Sequence, residues 1–528
     1  MTQTNSLAAF VAELRSNLGR AISSIASGGY TNLVLVMGNE SADLDSMISA
    51  ITYAYWRYLS NLNSNAQQGS TVVVPLIDIP QEDFRIRPEA ERVLQQTGGL
   101  DPNHLVFNDN PHIQQLFHIL KTSENCDSVH ITLVDHPSPN SDNKFLSKCV
   151  RGILDHHEDD HKINGTKVEP RWISMVGSAT SLTTLEGYRL LGGTGLPSGD
   201  NHPRANDTSP ITLPSSFTGA FVDTVRNQPN LFNLLLAPIL ADTSNMKKGG
   251  KVRPVDEAAA SLIYYAHPPL ASMLPKTPVP NLGVARDMEA AGVPFPILLV
   301  NITHGDSSMD NHPDSQAAYF KAWYEDITRA RVNVMHLTGD ELLRKDYKRW
   351  IMGEYQVGIS SVIVPFAKWF QRDGVPTWER DFKRYHQAKK LDLLLIMTQD
   401  PKSSGRELLV YAPEFITNGG AAVSRTSSTR VADFRRMLEN LQASDQLKLQ
   451  RYGKASPPVC LLGRDDPRNL DLDTLGTKGY IMYDQLNTKS SRKQVKPLVQ
   501  AALKKDTPVR TQSSPTKPDV AVVSQQNG

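Results

Sequence analysis

Asp43 and Asp45 stand two residues apart in Gly38–Ser46 (GNESADLDS), between the apolar run Asn32–Met37 and the helical stretch MISAITYAYWRYL. Two carboxylates this close in a strand-to-helix turn can face one cavity, and they repel each other unless a cation neutralises them. The competing reading is that Ser41 or Asp43 caps the helix, which explains most isolated Asp-x-Asp pairs. Asp135 and His136 follow the run Val129–Val134, where a carboxylate can bridge two metals or simply begin a turn ahead of Pro137 and Pro139. Asp155, His156 and His157 follow Val150–Leu154. Of the adjacent imidazoles, one offers a nitrogen ligand to a borderline cation and one a donor to a phosphate oxygen, with Asp155 able to fix a ring tautomer. Asp242 ends an apolar run in LLLAPILADTSN, a commonplace position for a helix-terminal Asp. His161, Asp159 and Asp160 read as a solvated loop and are left out.

Each cluster alone has a bland explanation; together they hold oxygen and nitrogen ligands for two cations. Two ions about 3.5–4 Å apart clamp a phosphoryl oxygen and generate a hydroxide nucleophile, which means hydrolysis of a phosphoester or phosphoanhydride. Lys247, Lys248, Lys251 and Arg253 follow Asp242 and either guide a phosphate chain or form an exposed loop. Gly177, Ser178 and Thr180 offer a helix N-terminus either to phosphate or to a cap.

The elements that must position these residues are visible as short apolar runs, Asn32–Met37, Thr71–Ile79, Val129–Val134 and Val150–Leu154, separated by helical stretches. Nearly continuous apolar strands alternating with helices specify a parallel sheet covered on both faces. In such sheets ligands gather at the carboxyl ends of the strands, where the polar clusters fall. Leu7, Phe10, Val11, Leu14, Leu18, Ile22 and Ile25 recur at helical spacing and predict a surface helix rather than a secretory signal. Gly192–Pro214 reads as a flexible insertion, and the prolines between His267 and Val284 as an interdomain connection. A second α/β region is expected from about Asn311 to Val499, with strands at Gly358–Val364, Leu391–Met397 and Glu407–Tyr411, and a disordered tail after it.

The 528 residues suffice for two or three domains, with 39% hydrophobic content to fill their cores. Lys plus Arg number 56 against 55 Asp plus Glu, so any hold on a polyanion must come from local clusters, and a coat on nucleic acid is excluded. Cys126, Cys149 and Cys460 lie far apart, which excludes a disulfide scaffold and a thiolate zinc site and fits a reducing compartment. No apolar run reaches the ~18 residues of a membrane span.

GNESADLDS, LVDH, ILDHH and ILADTSN resemble, in that order, the four signature motifs of the DHH phosphoesterases. LLRKDYKRW with VGISSV, then SSRKQVKP, are similar to motifs of the subclass holding family II inorganic pyrophosphatases, eukaryotic exopolyphosphatases and prune-like proteins. The resemblance spans roughly residues 30–500. It implies an α/β fold with an N-terminal parallel-sheet DHH domain (1–270), a linker (271–310) and a smaller DHH-associated α/β domain (311–499). The tail (500–528) follows, and the active site lies in the interdomain cleft. By the resemblance, Asn39, Asp43 and Asp135 hold one divalent ion, and Asp45, Asp135, His156 and Asp242 the other, with Asp135 bridging them. His157 would hydrogen-bond the substrate phosphate, and Lys348, Arg492 and Lys493 would close over it, the catalytic group being Asp135, His157, Arg492 and Lys493.

Family II pyrophosphatases begin the first motif with His, where this chain has Asn39, and usually follow the second Asp-His with Asn, where it has Pro137. Asn is a neutral oxygen donor, so the first site becomes harder and admits Mg2+ beside Mn2+ or Co2+. The Asn form is typical of exopolyphosphatases and prune-like proteins. The reading is therefore an exopolyphosphatase acting on inorganic polyphosphate. Its alternatives are a prune-like phosphodiesterase or short-chain polyphosphatase and a manganese-dependent pyrophosphatase. A non-catalytic phosphate-binding scaffold is disfavoured because every expected carboxylate and both histidines are present. The resemblance further implies a cytoplasmic monomer, the charge balance and the lack of a long apolar run argue against nucleic acid and membrane as partners, and the arginines and serines near the N-terminus leave room for a minor mitochondrial pool.

Overall fold

The computed structural model describes residues 6–29, 31–63, 71–97, 99–123, 127–163, 168–194, 219–266, 316–401, 403, 405–413, 425–452 and 479–503. Most of the expected insertion 192–214, the whole linker 271–310 with the prolines around it, Cys126, Cys460 and the tail beyond Leu503 lie outside the described residues.

The first half contains α1 (Leu7–Ala26), β1 (Asn32–Met37), α2 (Leu44–Asn63), β2 (Thr71–Leu76), α3 (Pro88–Glu91), α4 (Pro111–Thr122), β3 (Val129–Val134) and β4 (Val150–Asp155). It continues with β5 (Arg171–Ile173), α5 (Ala179–Leu190), α6 (Ala220–Arg226), α7 (Pro229–Thr243) and α8 (Pro254–Tyr265). The strands pair in the order β2-β1-β3-β4-β5, all parallel, as the apolar runs require. β5 was not expected, since RWI is too short to show a period.

α2 is buried from Leu44 through Trp56, the pattern of a helix enclosed on all sides. One face lies on the sheet and another on α5, which approaches so closely that a Cβ at Gly187 would sit 2.3 Å from Trp56 Cδ1. Gly187 thereby fixes the distance between α2 and α5, and with it the distance between the residues at their N-termini.

The second half contains α9 (Gln316–Val332), α10 (Gly339–Lys345), β6 (Tyr347–Met352), β7 (Tyr355–Val362), α11 (Phe366–Asp373), α12 (Val375–Ala388), β8 (Leu393–Gln399) and β9 (Arg406–Tyr411). After these come α13 (Arg425–Ala443), β10 (Leu449–Arg451), β11 (Tyr480–Gln485) and α14 (Arg492–Leu503). The sheet order is β10-β11-β9-β8-β7-β6, with β7 and β8 parallel and the other pairs antiparallel. β8 alternates between two cores: Leu393, Leu395 and Met397 face α13 and α14, while Leu394 and Ile396 join the Trp369, Trp378 and Phe382 cluster. α9, expected in the second domain, instead packs Phe320 and Ile327 into the first core. α14 runs to Leu503, beyond the expected start of the tail.

The halves are joined by named contacts. Ile86 from the first half enters the second half's core, Lys345 meets Glu89 at 2.6 and 2.8 Å with both side chains buried, and Arg344 meets Asp83 at 2.8 Å. The edge strand β6 adds Arg349, whose N–H donates to Glu40 Oε1 at 3.0 Å and whose guanidinium pairs with Asp142.

Candidate active site

Because the first sheet is parallel, the carboxyl ends of β1, β3 and β4 lie at one edge and bring Asn39, Asp135, Asp155, His156 and His157 together. Asp135 leaves β3 with φ 63°, a left-handed backbone that Asp tolerates better than most residues. Backbone in this region clusters at functional sites. Its carboxylate is buried, and Oδ1 has no hydrogen-bond partner. His156 Nε2 lies 3.2 Å from that oxygen, while Nδ1 lies 3.1 Å from the Val176 carbonyl, which can only accept. With its proton on Nδ1, a neutral His156 directs a lone pair at a carboxylate oxygen, and two acceptors so placed need a cation between them. Asp135, His156 and His157 bring ligand atoms within 4.8 Å of one another, a grouping able to hold a metal ion.

Without a metal, a proton on His156 Nε2 takes the place of that cation, and the pKa values shift accordingly. Burial, reinforced by Asp43, pushes Asp135 well above the usual carboxylate range. Burial disfavours a charge on His156, but Asp135 outweighs it and pushes the imidazole up to about 9. Asp242, in the last turn of α7, is pushed up to about 7 by burial and by the charges of Asp45 and Asp43. Asp155 shows the opposite balance: burial raises it, but His157 holds it well below the carboxylate range. Its Oδ1 accepts from the N–H groups of His156 and His157 and lies 2.9 Å from His157 Nδ1. That contact fixes His157 with its proton on Nδ1 and its Nε2 free, although burial drives the ring well below its ordinary value.

The motif-one turn departs from the simplest expectation. Asp43 caps α2, with Oδ1 accepting from Ser46 N–H at 3.0 Å. Asp45 lies within α2 and is held by the N-terminus of α5: Ser178 Oγ, Ala179 N–H, Thr180 N–H and Thr180 Oγ1 all donate to it within 2.9 Å. Asp256 takes the remaining donors, Gly177 N–H, Ser178 N–H and Ser181 Oγ. The helix N-terminus considered for phosphate therefore serves two protein carboxylates. Asn39 gives its amide N–H to Asp135 Oδ2 at 2.6 Å, and its oxygen accepts from Ser41 N–H, Ser41 Oγ and Ala42 N–H. Turning the amide to face a metal would set its NH2 against those donors, so Asn39 here orients Asp135 and keeps its own oxygen in the turn. Arg87, buried, donates to the Ser41 carbonyl at 2.6 and 3.0 Å and pins the same turn.

Outside the cluster, His136 sits with Nδ1 2.9 Å from the Val134 carbonyl, and burial lowers its pKa. The excluded loop is paired locally, Asp159 with Arg171 at 2.6 Å and Asp160 with Lys162 at 2.8 Å.

Across the cleft, Lys348 on β6 acts electrostatically on His157 and His136, and Lys493 at the start of α14 acts on His156. Neither has an ion-pair partner among the described residues. Arg492, expected over the substrate, is engaged: it donates to the Asp346 carbonyl at 3.0 Å and to Asp346 Oδ1 at 2.7 Å. Of the basic residues after Asp242, Lys251 reaches Asp242 and Lys493, whereas Arg253 folds back on the Gly250 and Val252 carbonyls. Sequence reasoning missed Glu40, Asp256 and Arg331, the last of which, on α9, interacts electrostatically with Glu89, Asp242, Asp346 and Asp43; nothing local distinguishes Arg331 from Arg329 two residues before it.

Residues 325–502 match the DHHA2 domain. The chain is 24% identical over 472 residues to a provisionally named exopolyphosphatase of Schizosaccharomyces pombe, covering 89% of this chain and 90% of that one. It is 23% identical over 387 residues to exopolyphosphatase PRUNE1 of Homo sapiens, covering 72% of this chain but only 63% of the human protein's length. Among solved structures it is similar to a provisionally named family II inorganic pyrophosphatase of Methanococcus jannaschii, at 16% identity and a TM-score of 0.44, over 90% of this chain and 99% of that one. Four motifs ordered along a parallel sheet and a match to the DHHA2 domain behind them make the chain similar to the DHH superfamily in both halves.

Proposed function

We propose that this protein is an exopolyphosphatase that releases orthophosphate from the end of linear inorganic polyphosphate. The observation that carries the reading is a contrast between the halves. The first half brings a buried acceptor without a donor, Asp135 Oδ1, beside Asp242, and the second half brings cations without ion-pair partners among the described residues, Lys348 and Lys493. Divalent cations would satisfy the first set and a polyanion the second. The names of the fungal and human relatives support the same activity.

Asp43, Asp135, His156 and Asp242 have ligand atoms to give to two divalent ions such as Mg2+, Mn2+ or Co2+, and Asp45 keeps one lone pair of Oδ2 beyond its hydrogen bonds. Such ions polarise a phosphoryl oxygen and lower the pKa of an attacking water. Asn39 holds Asp135 in place, and Asp155 holds His157 so that Nε2 faces the substrate. A phosphate oxygen beside Nε2 favours a proton there, giving a charge-assisted hydrogen bond worth about 1.5–3 kcal/mol. Lys348 and Lys493 neutralise charge developing on the transferred group, while Arg492, tied to Asp346, braces the strand and helix that present them. The preference for chains over pyrophosphate rests on the resemblance, in which Asn at position 39 marks the exopolyphosphatase and prune-like form rather than the pyrophosphatases with His. The scarcity of cysteine suits the cytoplasm.

Phosphate release from pyrophosphate, tripolyphosphate and long polyphosphate with magnesium tests the reading, with Asp135→Ala as control. Faster release from the chains than from pyrophosphate is the expected result. Preference for pyrophosphate would instead identify a pyrophosphatase, and silence on all substrates would remove the activity.

A further inference from the structure

The residues on either side of Arg87 belong to the joint between the halves. Asp83 meets Arg344 at 2.8 Å, Arg85 meets Glu341, Ile86 enters the second half's core and Glu89 meets Lys345, so α10 grips this segment along its length. Arg87 itself is only 1% exposed and turns instead toward the motif-one turn. Its Nε and Nη2 donate to the Ser41 carbonyl at 3.0 and 2.6 Å, and its Nη1 donates to the Asp83 carbonyl at 2.7 Å. One guanidinium therefore touches the joint, at Asp83, and the motif-one turn, at Ser41.

All three hydrogen bonds go to neutral carbonyls, so the charge is buried without the ion pair that offsets such a cost elsewhere in the joint. An apolar side chain would avoid that cost. What arginine supplies is a planar set of donors that spans two backbone segments at once. Beyond Ser41 the links continue: its N–H and Oγ donate to Asn39 Oδ1 at 2.9 and 2.7 Å, and the Asn39 amide donates to Asp135 Oδ2 at 2.6 Å. Ala42 follows with φ 41°, a left-handed backbone that alanine rarely adopts, and Asp43 is the next residue. Such a backbone persists only where its surroundings over-determine it, and Arg87 holds the carbonyl that precedes it.

Building on the proposed reading of the acid cluster as a cation site, we infer that Arg87 is a positioning residue that couples the seating of the second half to the metal ligands. α10 fixes the segment, Arg87 ties the segment to the Ser41 carbonyl, and the turn sets Asp135 through Asn39 and Asp43 through Ala42. Cation affinity then depends on Arg344, whose ion pairs are all with Glu82, Asp83 and Asp340 among the described residues and none with a proposed ligand.

Mn2+ binding to the chelator-treated full-length protein, followed by the paramagnetic signal of the free ion, reads this without turnover. Arg87→Ala is expected to weaken Mn2+ about tenfold, and Arg87→Lys, which has no fork, to recover part of the loss. Arg344→Met should weaken Mn2+ about threefold in the wild type and no further in Arg87→Ala, because both changes break the same series of contacts. Should Arg87→Ala not fold, Arg87→Lys takes its place in the cycle. Additive losses, an unchanged Mn2+ affinity in a folded Arg87 variant whatever its melting temperature, or no Mn2+ binding by the wild type would each overturn the coupling. A wild type that shows this dependence yet hydrolyses no phosphate chain keeps the coupling and removes the proposed activity; one that hydrolyses chains while Arg87 leaves Mn2+ affinity unchanged does the reverse.

Discussion

At the seam between the halves Glu89 meets Lys345, Asp83 meets Arg344 and Asp142 meets Arg349. A few residues further in, Lys348, Lys493 and Asp242 have no ion-pair partner among the described residues, and Asp135 has only the imidazoles beside it. Position within a few residues decides which fate a charge meets: Lys345 is paired and Lys348 is not; Arg492 is paired and Lys493 is not. Paired charges hold the halves in register, and the proposed function assigns the unpaired ones to ligands from solvent. A buried pair adds little net stability over an apolar contact but is costly to break, whereas an unpaired buried charge is a standing cost that only a bound ion offsets.

The largest expected effect lies on the unpaired side. Asp135→Ala should slow phosphate release on the order of 10³-fold, about 4 kcal/mol of barrier. In chelator the variant should melt no lower than the wild type, because a buried carboxylate whose Oδ1 has no donor has been removed, which outweighs the loss of the Asn39 hydrogen bond to Oδ2; a lower melting temperature would show that Asp135 stabilises the fold. On the paired side, Glu89→Gln strands buried Lys345 and should cost about 3–5 kcal/mol in urea unfolding. Combining it with Lys345→Met should recover most of that, and failure to recover would mean the pair is not the joint described here.

Glu407 sharpens the contrast from inside the second half. Burial pushes its carboxyl up to about 7, against hydrogen bonds from Phe366 N–H and Thr398 Oγ1. A raised carboxylate pKa means the folded chain retains a proton the unfolded chain releases, so this group's contribution declines as pH rises from about 4.5 to about 7. Glu407→Gln should match the wild type below pH 4.5 and exceed it by about 2 kcal/mol above pH 7, allowing for partial exposure. A gap independent of pH would reassign the gain to packing. Lys348→Ala should raise KM for tripolyphosphate about tenfold, about 1.4 kcal/mol, with little change in melting temperature. Asp159→Asn, whose partner Arg171 lies outside the cluster, should leave turnover within twofold; a larger fall would widen the site toward that loop.

β1 to β4 were legible because burial on both faces makes them continuous apolar runs, and the candidate cluster was legible because it sits where those runs stop. β6 was not, since its YKRWIM sequence is half-buried through most of its length and carries no alternation. What escaped reading depends on distant partners. The sequence sets Asp43 and Asp45 toward one cavity, whereas the fold gives Asp45 to Ser178 and Thr180, more than a hundred residues away. Asn39 was legible as a departure from His, but its use as a donor to Asp135 emerges only once β1 and β3 lie side by side.

The left-handed backbone at Asp135 acts as a filter on replacement separate from chemistry. In a library randomised at this codon and sorted for folding alone, without substrate or metal, glycine and asparagine should be enriched, while β-branched residues, strained at φ 63°, should be depleted. Substitutions selected for activity and for folding would then overlap only narrowly, and the strand end would tolerate few histories other than the one that put a carboxylate there.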